Sequence, residues 1–226
     1  MLVLAIDTAL EACSAAIFDS DQGAIIASES EIMSRGHAEA LIPLLQGLIG
    51  QTGLDFHALD RIAVTVGPGS FTGLRVGIAA ARGIALAAKK EVVGVTTLAA
   101  LAAPYIEADP KLPVAAAIDG RHRHVYFELY GPQGRVLLSQ RIIPVEEAVR
   151  ASAGASAALV GSGAQMMAEI WPDPTQLPPL DERQAPDIGW VARLGARTRP
   201  QDAPPKPLYL RPPDAHPQTA SILPRQ

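Results

Sequence analysis

The chain has 226 residues, of which 48% are hydrophobic and only 4% aromatic, and its formal net charge is −4. This length and apolar content exclude a largely disordered chain and are sufficient for one large domain or two small lobes. The acidic balance argues against a protein that binds nucleic acid on its own, because such proteins usually carry a basic excess. A single cysteine and an N-terminus without a signal-peptide pattern predict a soluble, cytoplasmic protein with no membrane segment.

The first half of the sequence predicts a mixed sheet flanked by helices. Three short strands joined by tight turns come first, and such short connections require antiparallel pairing. Helices and β-branched strands then alternate, with a Gly-rich turn before the second helix. The predicted strands are residues 2–7, 13–18, 24–28, 62–66 and 92–95, and the predicted helices are 37–51 (capped by Ser34), 71–89 and 98–105.

The second half repeats this order more weakly. It predicts strands at 114–118, 125–130, 136–143 and 158–160, and helices at 145–152, 164–170 and 188–198. Asp109-Pro110 interrupts the chain between the two halves. We therefore expect an N-terminal lobe at 1–106, a smaller C-terminal lobe at 107–213 and a flexible tail at 214–226.

Two turns carry residues suited to binding a phosphate. Asp7 and Thr8 end the first strand, and a turn that opens the second helix presents amide groups and a helix dipole that favour an anion. The second turn is neither a G-x-G-x-x-G motif nor a Walker A loop. A tight turn that allows close helix packing explains its glycines equally well, and a local Asx turn explains Asp7. The candidate residues are Asp7, Thr8, Gly67, Gly69, Ser70 and Thr72.

The helix at 71–89 carries two stripes of small residues on opposite sides. The stripes lie about 200° apart at 100° per residue, so both sides allow another backbone to approach closely. One side is expected on the sheet of its own lobe and the other on a second helix, either of this chain or of a partner. The first stripe is Gly69, Gly73, Gly77, Ala81 and Ala85, and the second is Ala79, Gly83 and Ala87.

No self-contained catalytic or metal site emerges from the remaining residues. His122 and His124 would point the same way on a strand, but two ligands do not close a metal site. With Arg121 and Arg123 they form a basic edge, which is either a solvated hairpin or a contact for RNA phosphates. Cys13 has no recognisable base beside it, and no nucleophile elbow is present.

Three blocks of the sequence resemble one family. They are Ala5-Ile6-Asp7-Thr8 with Cys13-Ser14, the run Gly-Pro-Gly-Ser-Phe-Thr-Gly-Leu-Arg-Val-Gly at 67–77, and Gly-Val-Thr-Thr-Leu at 94–98. Further matches stand at 117–119, 125–126 and 209–211. The chain, except its tail, resembles the TsaB (YeaZ) family, bacterial accessory proteins for synthesis of threonylcarbamoyladenosine (t6A) on tRNA. The resemblance implies an α/β fold of the actin/sugar kinase/Hsp70 (ASKHA) class, with two related lobes, each a mixed sheet flanked by helices.

The resemblance also implies that this chain is not an enzyme. TsaD, the related catalytic subunit, holds its metal with an H-x-x-x-H pair, and the matching positions here look like Thr97 and Leu101, which cannot ligate a metal. Leu10 and Glu11 enlarge the turn where related kinases hold an ATP phosphate. The chain alone is therefore expected to bind no cofactor, with ATP and the metal used by its partners.

The partner role is what the resemblance implies instead. Family members form a helical bundle with TsaD through the first two helices, form a homodimer when TsaD is absent, and act with the ATPase TsaE. The complex transfers threonylcarbamoyl to adenosine 37 of tRNAs reading ANN codons, and tRNA is bound only through the complex. The expected interface residues are His37, Leu41, Leu45, Phe71, Gly73, Leu74, Gly77, Ile78 and Ala81.

Two alternatives stay open at this point. One is a small ATP-dependent phosphotransferase of the same fold class, using Asp7 and the turn at 67–70. The other is an inactive relative of zinc peptidases, an assignment that the missing H-x-x-x-H pair disfavours.

Overall fold

A computed structural model of the chain describes residues 1–211 and contains two five-stranded mixed sheets flanked by helices. The predicted α/β fold with two related lobes is confirmed. The predicted tail at 214–226 lies outside the described residues. The strands are β1 (Leu2–Asp7), β2 (Ala12–Asp19), β3 (Ala24–Ile32), β4 (Arg61–Gly67), β5 (Glu91–Thr96), β6 (Val114–Asp119), β7 (His124–Tyr130), β8 (Val136–Pro144), β9 (Ala158–Val160) and β10 (Leu180–Asp181). The helices are α1 (His37–Thr52), α2 (Phe71–Ala88), α3 (Thr97–Ala108), α4 (Val145–Ala155), α5 (Ala164–Ala168) and α6 (Ile188–Arg197).

The two sheets share one topology. The first has the order β3-β2-β1-β4-β5, in which β1, β2 and β3 pair antiparallel and β4 and β5 run parallel to β1. The second has the order β10-β9-β6-β7-β8, with β6, β7 and β8 antiparallel and β9 parallel to β6. The antiparallel hairpins at the start of each half and the parallel crossovers that follow are the arrangement that the sequence predicts.

The start of α1 differs from the prediction. Gly36 precedes the helix in a left-handed conformation, with φ of 91°, and no side chain caps the helix. Ser34 is therefore not the cap. Pro43 lies inside a continuous helix at an exposed position, so its missing N–H neither delays nor ends α1.

Helix α2 packs one of its two small-residue stripes on the first sheet. Gly73, Gly77 and Ala81 are buried, whereas Ala79 and Gly83 of the opposite stripe are exposed. A Cβ atom on Gly73 would overlap the carbonyl oxygen of Thr8, closer than the 3.0 Å that real Cβ atoms keep. The glycines of the buried stripe therefore set the distance between α2 and the end of β1.

One helix crosses the predicted lobe boundary. Helix α6 belongs to the stretch assigned to the C-terminal lobe, but it packs on β1, β2 and β4 of the first sheet. The Arg61 guanidinium on β4 donates to the carbonyl oxygens of Gly195 (3.1 Å), Ala196 (3.0 Å) and Thr198 (2.8 Å) at the end of α6. The N-terminal lobe is therefore completed by residues from beyond position 187, and the chain does not divide cleanly near 106.

Within residues 1–211, α2 is the one helix that is long and apolar enough to cross a membrane by length and composition alone. One side of this helix, with Gly73, Gly77 and Ala81, is buried on the first sheet.

Candidate partner face and interlobe cleft

The turn before α2 is filled by the chain's own backbone. Ser70 N donates to the carbonyl oxygen of Ala9 (2.7 Å), and Thr8 Oγ1 donates to the carbonyl oxygen of Gly73 (2.7 Å). A Cβ on Gly69 would overlap that same Ala9 carbonyl oxygen. Carbonyl oxygens of the β1–β2 turn thus lie where a phosphate would need to approach the helix amides, and they repel an anion. The residues here do not fit a nucleotide phosphate.

The predicted phosphate residues are brought together, but they serve this packing. Asp7, Thr8, Gly69 and Ser70 meet at the β1–β2 turn, and Ser70 Oγ caps α2 by accepting from Gly73 N (3.2 Å). The remaining two do not join them. Thr72 is exposed on α2, and Gly67 has φ of 113° where a Cβ would lie 3.0 Å from the Leu208 carbonyl oxygen.

The Asp7 side chain is fully buried, and only one of its two carboxyl oxygens has a hydrogen-bond partner. Its Oδ1 accepts from Thr65 Oγ1 (2.5 Å) and from Ala9 N (3.0 Å), whereas Oδ2 has no hydrogen-bond partner. Burial raises the pKa of Asp7, and the bonds from Thr65 and Ala9 oppose that rise only in part. Asp7 therefore holds the turn in place as a buried carboxyl group. No three His, Cys, Asp or Glu side chains cluster as a metal site within residues 1–211.

Most predicted interface residues belong to the core of their own lobe. Phe71 is half-buried at the start of α2, and His37 Nε2 lies 2.9 Å from the Leu10 carbonyl oxygen, so both are tied to neighbouring segments. The others are covered by the first sheet and by each other, so a partner cannot reach them in this structure. These buried residues are Leu41, Leu45, Gly73, Leu74, Gly77, Ile78 and Ala81.

The opposite side of α2 is open. We define the outer α2 face as Arg75, Ala79, Arg82, Gly83 and Leu86, all exposed, with Leu86 exposed to 83%. On this face the apolar Leu86 side chain lies beside the small residue Gly83 and on the same side of the helix as Ala79. A groove of about 590 Å³ adjoins this face, and Lys89, Lys90, Val92 and Pro204 contribute to its lining.

A cleft of about 730 Å³ lies between the lobes. The β1–β2 turn and the start of α2 line it from the first lobe, and Asp119, Arg121 and Tyr126 line it from the second. The C-terminal segment 204–211 completes the wall, since Leu208 N donates to the Val66 carbonyl oxygen (2.7 Å) and residues 208–211 border the cleft.

Comparison with known proteins identifies the family. A family model described as "TsaD: tRNA N6-adenosine threonylcarbamoyltransferase" matches residues 24–168. A Haemophilus influenzae protein named "tRNA threonylcarbamoyladenosine biosynthesis protein TsaB" is 32% identical over 174 residues, which are 72% of each chain. The Escherichia coli protein of the same name is 37% identical over 130 residues, 58% of this chain and 55% of that one. The chain belongs to the TsaB (YeaZ) family.

Solved structures agree with that membership. A structure described as "YeaZ from Pseudomonas aeruginosa" superposes with a TM-score of 0.78 at 32% identity, covering 92% of this chain and 99% of that one. An ethanolamine utilization protein EutJ from Carboxydothermus hydrogenoformans, at 12% identity and a TM-score of 0.50, shares the fold alone. The ASKHA fold expected for a TsaB family member is thus confirmed.

Cys13 gives this TsaB family member no reactive thiol. The side chain is fully buried in β2, and burial raises its pKa to about 11, with Glu31 and Asp7 adding to the rise. The thiol therefore stays protonated at neutral pH, which makes it a poor nucleophile. This agrees with the absence of a neighbouring base in the sequence.

One cluster of aromatic and cationic side chains in this TsaB family member was not predicted from the sequence. Tyr209 stacks on Phe71 with ring centroids 5.1 Å apart, and Arg75 Nε donates to Tyr209 Oη (3.0 Å). The Arg75 guanidinium also lies 3.7 Å over the Phe71 ring, which adds a cation–π contact. The family match at 209–211 marked this position in the sequence, but it did not indicate that Tyr209 packs on α2.

We expect Asp7→Asn to stabilise the protein at neutral pH. Because the pKa of Asp7 is higher in the folded than in the unfolded state, wild-type stability falls as pH rises above the ordinary carboxyl pKa of about 4. Asparagine lacks this ionisation, and the stability gained by the variant should therefore grow as pH rises above that value. Urea unfolding of both proteins between pH 4 and 8 measures the difference. A difference that stays constant across this range would contradict the assigned ionisation.

Proposed function

We propose that this chain is a non-catalytic subunit in t6A synthesis, which pairs with TsaD and thereby supports the transfer of threonylcarbamoyl to adenosine 37 of tRNAs reading ANN codons. Family membership supports the pathway, since the relatives at 32% and 37% identity are named for threonylcarbamoyladenosine biosynthesis. The observation that carries the partner role is the outer α2 face, whose Leu86 is 83% exposed beside small residues.

The small residues of this face explain why a helix would be the partner. Ala79 and Gly83 lie on the exposed side of α2, and nothing within 4 Å occupies the space above Gly83. A second helix can therefore approach closely, and Leu86 can insert beside it. The same face would serve a homodimer when TsaD is absent.

The non-catalytic role rests on the β1–β2 turn. Its Thr8 and Ala9 carbonyl oxygens lie against α2 where the fold class places nucleotide phosphates, and Asp7 is buried behind them. ATP and the metal would then be supplied by partner subunits, TsaD and the ATPase TsaE, and the complex would act in the cytoplasm. The phosphotransferase and peptidase-like alternatives have less support, because the residues that line the cleft supply neither a phosphate-binding turn nor a set of metal ligands.

Reconstitution with purified proteins tests the proposal. We expect a mixture of this chain with TsaD from the same organism to elute from size exclusion as a heterodimer, and t6A formation on unmodified tRNA to need both. Isolated chain should release no phosphate from ATP. If no heterodimer forms and t6A is made equally well without this chain, the proposal fails. If the isolated chain hydrolyses ATP and Asp7→Ala abolishes the activity, the phosphotransferase alternative replaces it.

A further inference from the structure

The interlobe cleft brings aromatic rings from three parts of the chain to one surface, two of them half-buried and the third, Tyr209, exposed. Phe71 from α2, Tyr126 from β7 and Tyr209 from the C-terminal segment all line it. Tyr209 is 41% exposed although one side of its ring stacks on Phe71. Arg75 fixes this pair through its bond to Tyr209 Oη and its contact with Phe71. A ring held in place and still exposed is a platform on which a planar group can stack.

A cationic rim faces the same cleft from the second lobe. Arg121, His122 and Arg123 form the β6–β7 turn, all three in the left-handed region with φ of 63°, 51° and 59°. Non-glycine residues rarely adopt this conformation, and the side chains of all three are exposed. Arg123 is paired with Glu146 (2.6 Å). The Arg121 guanidinium makes no hydrogen bond or ion pair with any of residues 1–211 and borders the cleft.

The charges in the cleft are unevenly placed. Arg211 lines the cleft beside Arg121 and donates to the carbonyl oxygen of Gly120 (3.3 Å). Two acids also line the cleft, Glu11 on the side of the β1–β2 turn and Asp119, whose Oδ1 accepts from Arg121 N (2.7 Å). An anionic group is therefore favoured beside Arg121 and disfavoured at the β1–β2 turn, where carbonyl oxygens already face α2.

We propose that this cleft binds single-stranded RNA, with a base stacked on Tyr209 and a neighbouring phosphate on Arg121. Aromatic platforms beside a cationic rim are the combination that proteins use for unpaired strands, because every base offers a stacking face. A free nucleotide shares this chemistry of a base on Tyr209 and a phosphate on Arg121, and the experiment below distinguishes it from a strand. The identity of this RNA as the tRNA substrate rests on the proposed function. The binding itself does not depend on TsaD, and in this it departs from the expectation, drawn from the acidic charge balance and the family resemblance, that tRNA is bound only through the complex.

Fluorescence anisotropy of the full chain with a short labelled oligouridylate tests the site. We expect Tyr209→Ala to weaken binding at least about fivefold, the loss of one stacked base. Arg121→Ala should weaken binding and lower the slope of log affinity against log salt by about 0.7. Tyr209→Phe keeps the ring but lacks the hydroxyl that Arg75 holds, so it should weaken binding less than Tyr209→Ala does. Arg150→Ala is the matched control, because Arg150 is exposed on α4 in the same lobe and does not line the cleft.

Each contrary outcome overturns the site. If the Tyr209→Ala and Arg121→Ala variants bind the oligouridylate as tightly as the Arg150→Ala control, the RNA binds outside the cleft. If micromolar ATP displaces the RNA, the cleft is a site for a free nucleotide. If duplex RNA binds with the same affinity as the single strand, the base does not stack on Tyr209. Thermal unfolding of each variant excludes loss of fold as the cause. Failure of TsaD to pair, with RNA binding intact, would overturn only the proposed function.

Discussion

Replacing Gly73 with alanine is expected to destabilise the protein by about 2–3 kcal/mol. The added Cβ would overlap the carbonyl oxygen of Thr8, which is backbone and cannot move aside as a flexible side chain would. Thr8 is itself fixed, because its Oγ1 donates to the Gly73 carbonyl oxygen (2.7 Å). Helix α2 must therefore shift from the sheet, and this costs more than the gain of about 1 kcal/mol that alanine brings to a helix interior.

Gly83→Ala is the matched control in the same helix. A Cβ there meets nothing within 4 Å, and Gly83 is exposed. We expect it to stabilise α2 by about 0.5–1 kcal/mol, because alanine loses less backbone entropy than glycine on folding. Denaturant unfolding of both variants gives the comparison. Equal effects at the two positions would show that α2 does not contact the β1–β2 turn as described.

Leu86→Asp is expected to weaken pairing with TsaD about thirtyfold while leaving the fold intact. Leu86 is 83% exposed, so the free chain loses little packing, whereas the proposed complex would bury a charge against a partner helix. A thirtyfold loss of affinity corresponds to about 2 kcal/mol, the lower bound for a residue that dominates an interface. Gly83→Leu should act in the same direction by filling the space that a partner helix needs.

A control separates the partner face from general surface effects. Leu177 is 46% exposed and lies in the second lobe, outside the outer α2 face. Leu177→Asp should therefore pair with TsaD like the wild type on size exclusion. Pairing that survives Leu86→Asp and Gly83→Leu in folded protein would show that TsaD, if it binds, uses another surface.

The local patterns of the sequence predicted the elements well, because periodicity follows from which residues must be buried. The two stripes of α2 were visible as small residues four apart, and the structure separates them into a buried and an open side. The sequence pattern did not tell which stripe faces solvent. Both consist of glycine and alanine, and the choice depends on the position of Thr8, a residue far away in the chain.

Features that depend on long-range approach were not predictable. The amides at the start of α2 are suited to an anion, but the Ala9 carbonyl oxygen reaches Ser70 N first, and this requires the fold of β1 and β2. The sheet on which α6 packs was not predicted, for the same reason. Its apolar side predicts burial but does not specify which sheet it covers, and the Arg61 bonds to its end come from a strand more than 130 residues earlier.

The position of helix α6 also determines when one side of the first sheet can be covered during synthesis. Ile188, Val191 and Ala192 cover Val3, Ala5 and Ala63 of the first sheet. This part of the sheet cannot be covered before α6, which ends at Arg197, has been synthesised. Strands β1, β2 and β4 therefore wait for a helix that follows them by more than 120 residues before their packing is complete.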